Sequence, residues 1–121
     1  MTVPVLRQGD YLIASIQSAV ADADLTRLRE DLAQQVGELR CRGLIVDVTL
    51  IDVMDSFTIR TVLDITRISK LRGAEVVVVG IQPDVAFAMV QLGLTLDQVA
   101  TALDLEEGLA VLASANDGHD G

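Results

Sequence analysis

The sequence is poor in cysteine and in long apolar runs, and each shortage excludes a class of protein. Cys41 is the single cysteine, so the chain cannot form an internal disulfide, and we expect a reducing, cytoplasmic location. The longest uncharged run, residues 85–96, has 12 residues. A bilayer span needs roughly 18 apolar residues, so no membrane segment is expected. No basic segment followed by an apolar one opens the chain, so no signal peptide is expected either.

Basic and aromatic residues are also scarce. The chain has 9 basic and 18 acidic residues, a net charge of -9, and three aromatic side chains. Residues 1–72 contain all nine bases and ten acids, whereas residues 73–121 contain eight acids and no base. Phosphate binding needs clustered Lys and Arg, and base stacking needs aromatic rings, so no nucleic-acid partner is expected. The acidic segment is either a solvated face or a surface that attracts a basic partner.

The composition that remains is typical of one globular domain. The chain has 121 residues, of which 50% are hydrophobic and 22% charged, so it can bury a core. We expect the domain to occupy residues 1–113 and a small, polar, flexible tail to occupy residues 114–121.

Turn signals divide the chain into alternating strands and helices. Two short apolar runs flank Gln8-Gly9-Asp10, which predicts a hairpin. The predicted strands cover 3–7, 11–17, 44–48, 75–79 and part of 96–101, and the predicted helices cover 22–41, 55–72, 83–92 and 104–113. The order is β-β-α-β-α-β-α-β-α. It predicts an α/β fold with a mostly parallel central sheet, an antiparallel N-terminal strand and four flanking helices.

Capping residues predict where the helices begin and end. Asp22 or Asp24 is expected to cap the first helix, and Gly43 to follow its end. Asp55 is expected to cap the second helix, and Asp104 to start the fourth within a capping-box pattern. The first helix has an apolar stripe that predicts its buried face: Leu25, Leu28, Leu32, Val36 and Leu39.

The loop after the predicted strand 44–48 carries the most informative polar residues. In open parallel sheets, ligands and partners meet the loops at the carboxyl ends of the strands. If Asp55 is the cap, Ser56 is the first helical residue, and its hydroxyl is accessible. A phosphate on Ser56 would face the positive end of the helix dipole. Ser56 is therefore either an ordinary helix-start residue or a phosphorylation site.

Catalytic chemistry finds little support in the sequence. A serine nucleophile needs a nearby base, and the single histidine, His119, lies in the predicted tail. No glycine-rich phosphate loop is present. Asp47, Asp52 and Asp55 are carboxylates that could bind a cation, but their spacing is not that of a calcium loop, which favours solvated acids. We therefore expect no enzyme activity, no metal and no cofactor. Cys41, between two arginines, is either a thiol with a depressed pKa or a semi-buried structural residue.

The second predicted helix carries a candidate partner surface. Arg60, Arg67 and Lys70 supply its positive charge. Arg60 and Asp64 at i,i+4 are equally well explained as a solvent-facing helix pair, so the sequence leaves both interpretations open.

Several segments together resemble the STAS domain family (sulfate transporter and anti-sigma-factor antagonist). They are IVDV at 45–48, DVMDSF at 52–57 and SKLRGA at 69–74. The segments GIQP at 80–83, LGL at 92–94 and ALDLEEGL at 102–109 are similar to the RsbS-like group of that family, the single-domain subunits of the bacterial stressosome. The resemblance extends over about residues 4–112.

The resemblance implies a non-catalytic scaffold that carries a phosphorylation switch. In RsbS-like subunits, the serine of the Asp-Ser-Phe motif is the target of a partner kinase, which implies that Ser56 is the phosphorylation site. Thr58 is a second, weaker candidate. Asp52, Asp55 and Phe57 flank the site and are expected to orient its loop.

The resemblance also implies a set of partners. These are an RsbT-like serine kinase that is sequestered until it phosphorylates the subunit, RsbR-like STAS sensor proteins, an RsbX-like phosphatase and further copies of the chain itself. Phe57 and Thr58 stand where anti-sigma-factor antagonists have a Ser-Ser-Gly-like sequence, which disfavours direct binding of an anti-sigma factor. The alternative functions are a small-ligand or nucleotide-binding STAS module, with the loop 80–83 facing an anion at a helix start, and an anti-sigma-factor antagonist.

Overall fold

The computed structural model describes residues 3–18, 20–94 and 99–117. Within these ranges, five strands and four helices alternate in the predicted order: β1 Val5–Gln8, β2 Tyr11–Ser15, α1 Asp22–Glu38, β3 Gly43–Asp47, α2 Ser56–Leu71, β4 Glu75–Val79, α3 Pro83–Gln91, β5 Ala100–Ala102 and α4 Leu105–Asp117. None of the helices described combines the length and the apolar character needed to cross a membrane.

The strands form one sheet in the order β1-β2-β3-β4-β5. The hairpin strands β1 and β2 pair antiparallel, and the other neighbouring pairs are parallel. One row of the parallel register contains Ile13, Ile45, Val77 and Ala100. The predicted α/β fold with an antiparallel N-terminal strand is confirmed. Because β2 to β5 are parallel, the loops that follow them lie at one edge of the sheet.

The two faces of the sheet are covered unequally. Helices α1, α2 and α3 contribute to the larger core on one face, which includes Leu44 and Val76. Helix α4 packs on the opposite face, where Leu112 joins Ile45 and Val77. Strands β3 and β4 are therefore buried on both sides, which explains their continuous apolar sequences.

The predicted buried stripe of α1 is confirmed over the helix itself. Leu25, Leu28, Leu32 and Val36 are all buried against the sheet. Leu39, the last residue of the stripe, lies just beyond the helix as its C-cap and is 37% exposed.

The predicted start of α1 at residue 22 is confirmed, but its predicted cap and its predicted end are wrong. The N-cap position is Ala21, so neither Asp22 nor Asp24 is the cap, and both instead place negative charge in the first turn, where the helix dipole favours it. Gly43 is the first residue of β3 and does not terminate the helix. The chain turns at Arg40, which adopts a left-handed φ of 51°.

The C-terminal elements differ from the prediction in extent. Strand β5 covers 100–102, and residues 96–98 of the predicted strand lie outside the described residues. Asp104 caps α4 as predicted, because its carboxylate accepts a hydrogen bond of 2.8 Å from the backbone N–H of Glu107. Helix α4 continues to Asp117, past the predicted end at residue 113. The division into a domain at 1–113 and a flexible tail at 114–121 remains a prediction, and residues 118–121 lie outside the described part.

Cys41 is a buried structural residue. Its exposed fraction is 5%, and its side chain joins the larger core. Burial raises the pKa of the thiol, although the nearby charge of Arg7 acts in the opposite direction. The alternative of a depressed thiol pKa is therefore wrong.

Candidate functional site

The candidate site is the 49–55 loop between β3 and α2, together with the first turn of α2. Two side chains of the loop, Ile51 and Met54, are buried, with exposed fractions of 3% and 7%. The residues beside them are exposed, and the exposed fractions of Leu50 and Val53 are 62% and 81%. The loop is thus attached to the core at two points and presents Asp52 and Val53 to the outside.

Hydrogen bonds fix the start of the loop. The carboxylate of Asp47 accepts bonds from the backbone N–H of Thr49 at 2.9 Å and from its hydroxyl at 2.6 Å. This is the local turn that Asp favours. The carbonyl of Thr49 accepts a bond of 2.7 Å from the side-chain amide of Gln82, at the start of α3. The loop after β3 is therefore tied to the loop after β4.

Gly80 allows these two loops to approach each other closely. Its φ is 79°, in the left-handed region that favours glycine. A Cβ at this position would lie 2.9 Å from the backbone Cα of Thr49. The loop 80–83, which the alternative hypothesis assigned to an anion, thus packs closely against Thr49.

Asp55 is the N-cap of α2, as predicted. Its carboxylate accepts a hydrogen bond of 2.8 Å from the backbone N–H of Thr58. Hydrogen bonds from the backbone and the side chain of Thr58 hold the pKa of Asp55 below its ordinary value. Asp55 is therefore ionised at neutral pH and places a negative charge next to Ser56.

Ser56 is exposed at the first residue of α2. The first backbone N–H groups of a helix have no partner within the helix, so a negatively charged group on Ser56 meets the positive end of the helix dipole. Phe57 is 37% exposed beside it. Thr58 is half-buried, and its side chain bonds to Asp55, which makes it a poorer acceptor than Ser56.

The three carboxylates that were considered as cation ligands are not assembled into a cation site. The carboxylate of Asp47 is engaged by Thr49, and that of Asp55 by the start of α2. Asp52 is exposed near the outermost part of the loop. In the part of the chain that the structure describes, no group of three or more His, Cys, Asp or Glu side chains could hold a metal ion.

The basic residues of the predicted partner surface lie on the outside of α2. Arg60, Arg67 and Lys70 are all exposed. Asp64, which the i,i+4 spacing pairs with Arg60, instead forms an ion pair of 3.3 Å with Arg29 of α1. The negative charge of Asp64 is thus paired with a basic residue of α1.

Sequence reasoning missed the contact between Thr49 and Gln82. These residues are 33 positions apart, so no local pattern links them. The available signal was Gly80, because a glycine directly after a buried strand often marks a close approach of two backbones.

Comparison with known proteins adds the context for this geometry. A family model described as STAS domain matches residues 2–108. A solved structure of Moorella thermoacetica RsbS, in a variant with a serine replaced by glutamate, has a TM-score of 0.86 and 32% identity, covering 95% of this chain and 97% of that chain. A chain from the solved structure of the stressosome, described as a signal integration and transduction hub, has a TM-score of 0.84 and 33% identity, covering 93% and 98%.

A curated relative is similar over part of its length. The RsbT co-antagonist protein RsbRA of Bacillus subtilis (strain 168) is 29% identical over 91 residues, which cover 75% of this chain. The aligned region is 33% of the length of RsbRA, so the similarity concerns one part of a longer protein.

Proposed function

This chain belongs to the STAS domain family, and on that premise we propose that it is a non-catalytic subunit of a stressosome-type assembly with a phosphorylation switch at Ser56. Unmodified, it holds an RsbT-like serine kinase on the assembly. The kinase phosphorylates Ser56, loses affinity and leaves to start a stress response. The similarity to RsbS, to a stressosome chain and to an RsbT co-antagonist supports this proposal.

The observation that carries the proposal is the position of Ser56. Its hydroxyl is exposed at the start of α2, while the loop before it is held by the buried side chains of Ile51 and Met54. A kinase needs an acceptor that is accessible and fixed in position, because phosphoryl transfer depends mainly on alignment. Ser56 is accessible at the start of α2, and the 49–55 loop before it is held in position by its two buried side chains.

The chemical step requires no catalytic group from this chain. The Ser56 oxygen forms a bond to the γ-phosphorus of ATP, the bond from that phosphorus to the bridging oxygen breaks, and ADP leaves. The hydroxyl proton passes to a base of the kinase. An RsbX-like phosphatase would reverse the modification by hydrolysing the phosphate ester. This chain contributes the acceptor and the surface that presents it.

The surroundings of Ser56 explain why its modification weakens binding. Before modification, the exposed side chains of Leu50 and Val53 offer an apolar surface to the kinase. A phosphate adds about -1.5 to -2 charges, next to the carboxylate of Asp55. Burying that phosphate at an apolar interface is unfavourable. A tenfold to hundredfold loss of affinity requires only about 1.4–2.8 kcal/mol.

The fold is compatible with the added charge. The Moorella RsbS structure was solved with a glutamate in place of a serine, so a closely similar fold accommodates such a change. A phosphate on Ser56 would also be stabilised by the dipole of α2. We therefore expect the phosphorylated domain to remain folded and to act through its surface.

The remaining partners follow from the same proposal. An RsbR-like STAS protein joins the assembly, in keeping with the relationship to RsbRA. The nucleotide-binding alternative has no comparable support, because the similarities to RsbS, to a stressosome chain and to an RsbT co-antagonist favour the scaffold.

The proposal is tested by incubating the protein with its cognate kinase and ATP and mapping the phosphate by mass spectrometry. We expect the label on Ser56 and its loss in Ser56→Ala. Thr58→Ala should still be labelled, and Ser114→Ala, which removes another exposed helical hydroxyl, serves as the matched control. If Ser56→Ala is labelled as strongly as the wild type, the assignment of the site is wrong.

A further inference from the structure

Helix α3 leaves an apolar surface uncovered, which we call the α3 surface. It consists of Ala86, Phe87 and Val90 on α3 and Leu103 directly after β5. The exposed fractions of Phe87, Val90 and Leu103 are 69%, 70% and 82%. Ala86 and Leu103 line the same open cleft of about 370 Å³, so the helix and the strand end contribute to one continuous surface. Apolar side chains grouped in this way are typical of interaction sites.

The charged side chains that α3 and the start of α4 bring to the α3 surface are acidic. Glu107 lines the cleft, and Asp84 is exposed in the first turn of α3. Asp104 and Glu106 are exposed nearby along the chain. Residues 73–121 contain no Lys or Arg to balance these acids. A partner that fits this surface must therefore combine apolar side chains with positive charge.

The outer side of α2 has this complementary chemistry, and we call it the α2 surface. It consists of Phe57, Arg60, Arg67 and Leu71, whose spacings of 3, 7 and 4 place them along one side of the helix. Phe57 is 37% exposed and Leu71 is 87% exposed, and both arginines are exposed between them. The α2 surface is thus apolar at its ends and basic in its middle.

The α2 surface keeps its positive character because Asp64, which lies between the arginines, is paired with Arg29 of α1. Both surfaces are exposed in a single chain, so each is available to a second molecule. Contact of two α3 surfaces would bring acids together, and contact of two α2 surfaces would bring arginines together. Only contact between unlike surfaces matches apolar with apolar groups and acid with base.

We infer that the α3 surface of one copy of this chain binds the α2 surface of a second copy. This inference rests on the assembly role proposed above and identifies the residues that make one of its contacts. Phe87, Val90 and Leu103 supply the apolar part of the contact on one side, and Phe57 and Leu71 supply it on the other. The arginines of α2 face the acids around the cleft.

The contact is tested by sedimentation velocity of the full chain at increasing concentration and at two salt concentrations. We expect self-association that weakens as salt is raised, since salt screens the charge pairs. Phe87→Ser disrupts the α3 surface, and the double variant Arg60→Glu, Arg67→Glu disrupts the α2 surface. Each should weaken self-association on the order of tenfold or more, as expected for central residues of an interface.

Matched controls remove the same chemistry elsewhere. Leu6→Ser removes an apolar side chain that is 66% exposed on β1, and Arg42→Glu reverses an exposed basic charge outside α2. Both should associate like the wild type. All the substituted positions are exposed, and circular dichroism of each variant confirms that it is folded.

Mixing the two disrupted variants gives the sharpest test. Each retains the surface that the other lacks, so the mixture should associate more strongly than either variant alone. A mixture no stronger than its components overturns the inference, as does a Phe87→Ser variant that associates like the wild type. A wild-type chain that remains a monomer alone but joins an RsbR-like partner also overturns it, yet leaves the proposed function standing. Failure of the kinase to label Ser56 refutes the proposed switch without affecting this contact.

Discussion

The 49–55 loop and the α3 surface both expose apolar side chains, but they are built in different ways. The loop is tied by the bonds of Thr49 to Asp47 and Gln82, and by the burial of Met54. The α3 surface consists of exposed apolar side chains on one side of a regular helix, together with Leu103 after β5. The comparison indicates that a modification site needs a fixed local geometry, whereas a docking surface needs complementary area and charge. Substitutions of the residues that tie the loop to the rest of the domain should therefore affect stability, and those on the α3 surface should affect association.

The largest effect on stability is expected for Gly80→Ala, which separates the two loops. The substitution places a Cβ against Thr49 at a left-handed φ of 79°. The conformational cost and the steric conflict together should lower the free energy of unfolding by about 3 kcal/mol. Gly9→Ala is the matched control, because Gly9 has a φ of 60° and no atom within 4 Å of the added Cβ. It should cost about 1 kcal/mol, and equal losses measured by urea unfolding would contradict the role of Thr49.

A smaller effect is expected when a buried side chain of the loop is removed. Met54→Ala deletes a side chain that is 7% exposed and should lower the free energy of unfolding by about 2 kcal/mol. It should also reduce the rate at which the kinase labels Ser56, because the acceptor is less firmly positioned. Val53→Ala, at a position that is 81% exposed, should change stability by less than about 0.5 kcal/mol. Equal unfolding midpoints for the two variants would show that Met54 does not hold the loop.

The next largest effect on stability is expected when the Asp55 cap of α2 is removed, and the size of this effect depends on pH. Asp55→Ala should lower the free energy of unfolding by about 1 kcal/mol, whereas Asp55→Asn should retain most of the cap. The folded state lowers the pKa of Asp55 below its ordinary 3.8, so its contribution is present above that pH and is lost as pH falls through the folded pKa. The difference between wild type and Asp55→Ala should thus shrink in acid. Asp52→Ala is the control and should show no comparable difference at neutral pH.

The smallest effect on stability is expected at Ser56, the proposed modification site. Ser56 is exposed, and its side chain is not the cap of α2. Ser56→Ala should therefore change the free energy of unfolding by less than about 0.5 kcal/mol while abolishing phosphorylation. A large loss of stability in thermal unfolding would indicate a structural role for Ser56 and weaken the comparison.

Local sequence signals predicted much of the fold. The boundaries of β4 at Glu75–Val79 match the prediction. The segment contains four consecutive valines, which favour a buried strand, and it closely follows Gly73, which ends the preceding helix. Asp55 was identified as a cap from its place before an apolar helical pattern, and Pro83 correctly indicated the first residue of α3. In each case, the signal lies within a few residues of the feature that it predicts.

The features that sequence reasoning missed depend on longer-range contacts. Arg40, not a glycine, adopts the left-handed turn after α1, because the position of β3 requires the chain to reverse there. The bond between Gln82 and Thr49 depends on the pairing of β3 with β4, which brings the loops after the two strands together. The proximity of Ala86 and Leu103 likewise depends on the folded sheet. The composition indicated an acidic C-terminal segment, and its high apolar content was compatible with exposed apolar surface, but it did not locate that surface on α3.

The central claim is that phosphorylation of Ser56 releases the kinase. The most direct test is the dissociation constant of the cognate kinase, measured by titration calorimetry with unmodified protein and with protein phosphorylated on Ser56. We predict that phosphorylation raises the dissociation constant at least tenfold, and that the Ser56→Ala variant binds like the unmodified protein. Equal dissociation constants for the two forms would contradict the claim.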